Sequence, residues 1–248
     1  MTAMLAPSSS STLGVHREAL QHLVRIFSYI DGDIVLCWNG QCEANCQRLT
    51  LAKVCRILGG LAGDTQDVFG VSEQAIDDAL SESQKVDLFI TWQWLRNRIW
   101  RLAYIHGLVD IHSTVSEHLS VAVPFQVARM ACMWCEVFSK DAMDQHGRGF
   151  VSQSPDYTLG PTLSLPFSSL ANAPQVEKLC DLIDPLPKLM QPDVIDLIRS
   201  GLGGDIPDIF RLLKRMCFHI SHHCRYDGSR VAPILSELQE RKQLYNLA

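Results

Sequence analysis

The sequence has no surplus of basic charge, few aromatic residues and no uninterrupted apolar run, and each shortage excludes a class of protein. Its 22 Lys and Arg stand against 27 Asp and Glu, a formal charge of -5. The chain as a whole therefore offers no phosphate-neutralising surface, and direct nucleic-acid binding is not expected. The longest segment free of charge and histidine, Tyr157 to Val176, is long enough to span a bilayer, but Pro161, Pro166, Pro174 and several serines make it a loop. No membrane association is expected. The start, Met1 to Arg17, is Ser-rich and lacks a positively charged stretch followed by an apolar one. With an odd count of nine cysteines, this reads as a chain of reduced thiols in the nucleus or the cytoplasm.

Common catalytic patterns are also missing. Gly59-Gly60-Leu61-Ala62-Gly63 and Gly201-Leu202-Gly203-Gly204 follow helical patterns rather than strands, so neither offers a helix N-terminus at a sheet end to a pyrophosphate. There is no nucleophile elbow and no paired-histidine zinc protease motif. Asp77-Asp78, followed by Ala79, Leu80 and Ser81, is too short for an aspartate-rich metal clamp and reads as a solvated helix face. No catalytic set and no cofactor are expected.

What is present is 47% hydrophobic residues over 248 positions, enough for a sizeable core, arranged with helical spacing. Leu20, Leu23, Val24, Phe27 and Ile30 form a first stripe that ends at the turn pair Asp31-Gly32. Leu51, Val54, Cys55 and Leu58 form a second, ended by Gly59, Gly60 and Gly63, and Ser72 then caps a short helix to about Ser83. From Lys85 to about Asp110, Leu88, Trp92, Leu95, Ile99 and Leu102 recur without glycine or proline. A fifth helix starts near Pro124 and runs to about Asp144. Short helices follow around Val176 to Ile183 and Val194 to Ile198, a longer one after Pro207 carries Phe210 to Cys224, and a last one begins around Ser229. Ile34 to Leu36 is the one short strand candidate. The expected fold is all-α, an irregular bundle of about eight to nine helices. Its expected organisation is a flexible start over 1–15 and one domain over 16–248, with a Pro/Ser-rich loop at 151–174.

Cys37, Cys42, Cys46 and Cys55 contain no close pair of the kind that structural zinc sites use twice. Cys132 and Cys135 flank Trp134 on one helix, where thiols behave as small hydrophobes. His219 and His222 share a helical face, but Cys217, Ile220 and Cys224 form the apolar stripe and leave the histidines on its flank. No metal is expected at any of these. Leu49 to Leu61 and then Val71 to Ile76 have the outline of a helix-turn-helix, but between Ile57 and Gln84 there is no cation to meet phosphate.

The helix from Asp87 to Trp100 sets Trp92, Trp94 and Trp100 beside Arg96, Arg98 and Arg101. Such rings are core material, with guanidiniums free to stack or to hold neighbouring carboxylates. Phe89-Ile90-Thr91-Trp92, Arg98-Ile99-Trp100, His106-Gly107-Leu108, Ala142-Met143-Asp144-Gln145-His146-Gly147-Arg148-Gly149 and Val176-Glu177-Lys178-Leu179 together resemble the C-terminal helical regulatory region of fungal transcription factors of the binuclear zinc-cluster family. The resemblance covers mainly residues 85 to 190. The family's six-cysteine DNA-binding module and basic linker have no counterpart here, and the loop at 151–174 interrupts the resembling stretch. The resemblance implies a non-enzymatic nuclear module that binds a small effector, other transcription proteins or a second copy of itself, and modulates transcription of metabolic genes, including those of secondary metabolism. Trp92, Arg96, Trp100, His106, Trp134 and His146 are the candidate pocket or partner surface. Two alternatives stay open: an all-α enzyme with a tryptophan-lined pocket and His106 or His146 as acid or base, and a helical interaction scaffold.

Overall fold

The computed structural model describes residues 19–42, 46–69, 80–109, 116–145, 173–192, 194–202, 205–223 and 230–245, and it is all-α, with no strand among them. Helix α1 covers 19–27, followed by α2 (Gly32–Trp38), α3 (Leu51–Phe69) and α4 (Glu82–Ile105). A short 3₁₀ turn, Glu117–Leu119, leads into α5 (Val123–Val137) and α6 (Lys140–Gln145). Then come α7 (Ala173–Ile183), α8 (Leu186–Leu189), α9 (Ile195–Leu202), α10 (Ile206–His223) and α11 (Val231–Leu244). Among the described residues no helix is long and apolar enough to cross a membrane. The expected loop at 151–174, except for its last two residues, the short helix after Ser72 up to residue 79, and His146 lie outside the described residues.

Helix α4 is the axis of the fold and packs against α3, α5, α6 and α7. Its apolar residues are buried nearly all round, as a central rather than a surface helix requires. It begins three residues earlier than the periodicity indicates, because Ser81 and Gln84 close a capping box that ties off two backbone donors. It ends at His106, where Gly107 takes φ +68 and turns the chain away.

Two elements differ from expectation for identifiable reasons. Ile34 to Leu36 is helical, because the Asp31 carboxylate accepts the Ile34 N–H at 3.0 Å and starts α2. Helix α3 runs straight through Gly59, Gly60 and Gly63. A Cβ on Gly60 would stand 2.5 Å from Cε1 of Tyr29, so this glycine admits the Tyr29 ring against the helix instead of ending it. In the first helix Ile26 is buried while Leu20, Val24 and Phe27 are exposed, so most of the expected stripe faces outward. The fifth helix is two helices, α5 and α6, with Pro124 in the first turn of α5.

Polar contacts then fix α4 against α7. Trp94 Nε1 donates to Asp181 at 3.1 Å, Asn97 donates to the Asp181 carbonyl at 3.0 Å, and Arg230 reaches the other Asp181 oxygen at 3.0 Å. Lys178 donates to Thr91 Oγ1 at 2.6 Å and pairs with Asp87 at 3.6 Å. Burial lowers the Lys178 pKa, against the pull of Asp87.

Candidate functional site

The site lies where the C-terminal ends of α2 and α4 meet the chain entering α3. Lys53 on the first turn of α3 bridges Asp31 at 2.7 Å and Asp33 at 3.3 Å, and Arg48 adds a contact to Asp33 at 3.2 Å. Desolvation works against the Lys53 charge, but the two carboxylates outweigh it and raise its pKa. These contacts seat the N-terminal end of α2 on α3, and α2 then carries Cys37 and Trp38 toward the end of α4. Gly40, at φ +67, reverses the chain directly after α2 and brings Cys42 back over the same place.

Between these elements is an open cavity of about 610 Å³. Arg98, Arg101 and His106 line it from α4, together with Trp38, Cys37, Cys42 and Cys46. The Arg98 guanidinium sits 4.8 Å from the centre of the Trp38 ring, a cation–π contact that fixes the guanidinium at the wall. Trp38 in turn meets the Trp94 ring at 5.2 Å. Burial pulls the Arg98 pKa down, yet a guanidinium keeps its charge throughout the physiological range. A wall of two guanidiniums, an indole and Ile105 suits a planar or apolar body that carries a negative group.

Thiols and an imidazole crowd one side of this cavity. Cys37 Sγ lies 3.4 Å from Cys46 Sγ, and Cys42 Sγ lies 3.7 Å from His106 Nε2. The ligand atoms of Cys37, Cys42 and His106 all fall within 4.8 Å of one another. Desolvation first, and then the neighbouring Cys46 and Cys42, push the Cys37 thiol up to about 12. Cys46 goes the other way: desolvation opposes its ionisation, but N–H groups of Arg48 and Leu49 and the Cys37 thiol outweigh it and lower its pKa.

The residues singled out from the sequence do not converge on one site. Trp92 and Trp100 are buried in the core, their indole N–H groups donating to Leu61 O at 2.8 Å and Ser120 O at 3.1 Å. Trp134 packs on Phe89 and Phe138, each ring 5.1 Å away. Arg96 is largely buried and desolvation lowers its pKa. Of the described members of that set only His106 lines this cavity, whose wall is otherwise built from Arg98, Arg101, Trp38 and three cysteines. The cysteines were visible in the sequence, but their partner is 64 residues away at the cap of another helix. Spacing along the chain carries no trace of that.

A second cluster joins Cys132 and Glu136 of α5 to His219 of α10. Here Arg215 forms an ion pair with Glu136, and His219 Nε2 lies 3.4 Å from the same carboxylate oxygen. Arg215 is the main cause of the lowered Glu136 pKa, and the arrangement is an interhelical clasp. Cys132 and Cys135 are buried, as expected of small apolar side chains.

Comparison of the chain with known protein families, curated proteins and solved structures returned no match.

Proposed function

We propose that this chain is a non-enzymatic helical regulatory module of the nucleus, which modulates transcription by binding a small anionic effector in the cavity between α2 and α4. The observation that carries this reading is the cavity wall, where Arg98 and Arg101 offer fixed positive charge beside the Trp38 ring in about 610 Å³ of space. The resemblance of residues 85 to 190 to the regulatory region of fungal zinc-cluster factors supplies the transcriptional setting. Lys178, in the Val-Glu-Lys-Leu stretch, and Trp92 and Thr91, in the Phe-Ile-Thr-Trp stretch, take part in packing α4. The exposed residues of α1, Leu20, Val24 and Phe27, are where a transcription protein or a second copy would dock. With a formal charge of -5, the module reaches promoters through a partner rather than by itself.

The test is a reporter gene driven by this chain fused to an unrelated DNA-binding module. Reporter output is expected to change on fusion, and to change differently when Arg98→Ala and Arg101→Ala are combined. A fusion that enters the nucleus and leaves the reporter untouched would overturn the reading. The enzyme reading is favoured by one observation, the 3.7 Å approach of Cys42 to His106, which has the outline of a thiol beside a base. It requires a turnover that His106→Ala abolishes.

A further inference from the structure

We propose that Cys37, Cys42, Cys46 and His106 form a structural zinc site. The inference is independent of the effector reading, since it concerns what holds the cavity together rather than what enters it.

Zinc closes a tetrahedron with Zn–S near 2.3 Å and Zn–N near 2.0–2.1 Å, which places neighbouring sulfurs about 3.8 Å apart and sulfur about 3.5 Å from nitrogen. Two donor separations match that shell: Cys37 Sγ to Cys46 Sγ is 3.4 Å and Cys42 Sγ to His106 Nε2 is 3.7 Å. Cys37, Cys42 and His106 are mutually within 4.8 Å and Cys46 falls outside that set, so an ion gathers three donors as they stand, and Cys46, already 3.4 Å from Cys37, completes the tetrahedron by turning its side chain inward. The 3.4 Å between the two sulfurs is also far longer than a covalent S–S bond of about 2.05 Å, and all four cysteines of this half of the chain are free thiols. Three thiols and one imidazole are a soft set that selects zinc over magnesium or calcium.

The surroundings support a thiolate site. Three thiolates and one Zn²⁺ sum to one negative charge, and Arg98 and Arg101 stand in the same cavity to balance it. Binding is written as Zn²⁺ plus three thiols and a neutral imidazole giving the complex and three protons released to solvent. With four protein ligands no coordination position is left for substrate, so the ion is structural: it ties the end of α2, the entrance to α3 and the cap of α4 to one point.

The test uses the full chain, purified with thiols reduced, and zinc alone as the probe. One zinc per chain is expected by elemental analysis, with Co²⁺ exchange giving thiolate-to-cobalt charge-transfer bands and the visible bands of a tetrahedral ion. Cys42→Ser combined with Cys46→Ser should lose those bands and most of the zinc, whereas His219→Ala at the second cluster should keep both. If the double variant does not fold, His106→Asn provides the separate readout: a weaker, blue-shifted cobalt spectrum. Reduced, folded wild-type protein that neither contains nor takes up zinc, or zinc held equally by the double variant, would overturn the proposal. The reporter response of the tethered chain is scored separately, so failure of either reading is distinguishable from failure of the other.

Discussion

Replacing Asp181 with alanine tests whether the polar seam between α4 and α7 holds the axis of the fold in place. The carboxylate accepts the Trp94 indole N–H on one oxygen and pairs with Arg230 on the other. Its side chain is 23% exposed and that of Arg230 is 39% exposed, so neither contact has the value of a fully buried one. The Trp94 bond, to a charged and mostly buried acceptor, is worth about 1.5 kcal/mol. The more exposed Arg230 pair adds about 0.5 kcal/mol after solvent screening. The bond from the Asn97 side-chain amide to the Asp181 main-chain carbonyl survives the substitution. Asp181→Ala should therefore cost about 2 kcal/mol, which for a chain of this length lowers Tm by about 4–8 °C. Asp181→Asn keeps an acceptor for Trp94 and should cost about half as much. Urea denaturation followed by far-ultraviolet circular dichroism measures both, and a cycle with Trp94→Phe isolates the indole bond. An alanine variant within about 0.5 kcal/mol of wild type would refute the reasoning that this seam positions α4.

Four further outcomes follow from single residues. Gly60→Ala should destabilise by about 1–3 kcal/mol, because its Cβ meets the Tyr29 ring at 2.5 Å. Gly63→Ala, with nothing within 4 Å of the added carbon, should stabilise α3 by about 0.5–1 kcal/mol, and equal effects in thermal melts would contradict the packing account. Gln93 is fully buried and its amide has no hydrogen-bond partner among the described residues. Gln93→Met should thus leave stability unchanged or raise it by about 1 kcal/mol, and a clear loss in the same melts would point to an unrecognised partner. Glu82 accepts from the Ser139 N–H at 2.6 Å and its hydroxyl at 2.8 Å, and those bonds hold its carboxyl below the usual 4.5. A depressed pKa gives stability that is present above pH 4.5 and lost as pH falls through the folded value. The gap between wild type and Glu82→Gln should therefore close on acidification below pH 4.5, and a constant gap would remove Glu82 as the titrating group.

The sequence was most legible where one period dominated. Leu88, Trp92, Leu95, Ile99 and Leu102 repeat at helical spacing, and all five are buried on α4. It was least legible where tertiary contact overrides a local preference. Glycine normally weakens a helix, yet Gly60 lies inside α3 because only a missing side chain lets Tyr29 approach. Ile34 to Leu36 has strand composition, but the preceding Asp31 cap decides for helix. In α1 the apolar residues repeat correctly while Leu20 and Val24 face outward, because periodicity locates a face without saying what covers it. The cavity had the weakest trace of all. Arg98 and Arg101 stand beside tryptophans in the sequence, but the ring that Arg98 meets, Trp38, lies on α2. The thiols likewise find their imidazole only once α2, α3 and α4 have packed.

We propose the junction of α2 and α4 as a ligand-binding cavity with charged walls. Titrating the full chain with aromatic carboxylates such as benzoate and cinnamate, while following tryptophan fluorescence, tests it most directly, because Trp38 lines the cavity. A saturable change is expected in the wild type, absent in Trp38→Phe and strongly weakened in Arg98→Ala with Arg101→Ala. A response of the same size and midpoint in all three proteins, or no saturable response from any carboxylate, would contradict it.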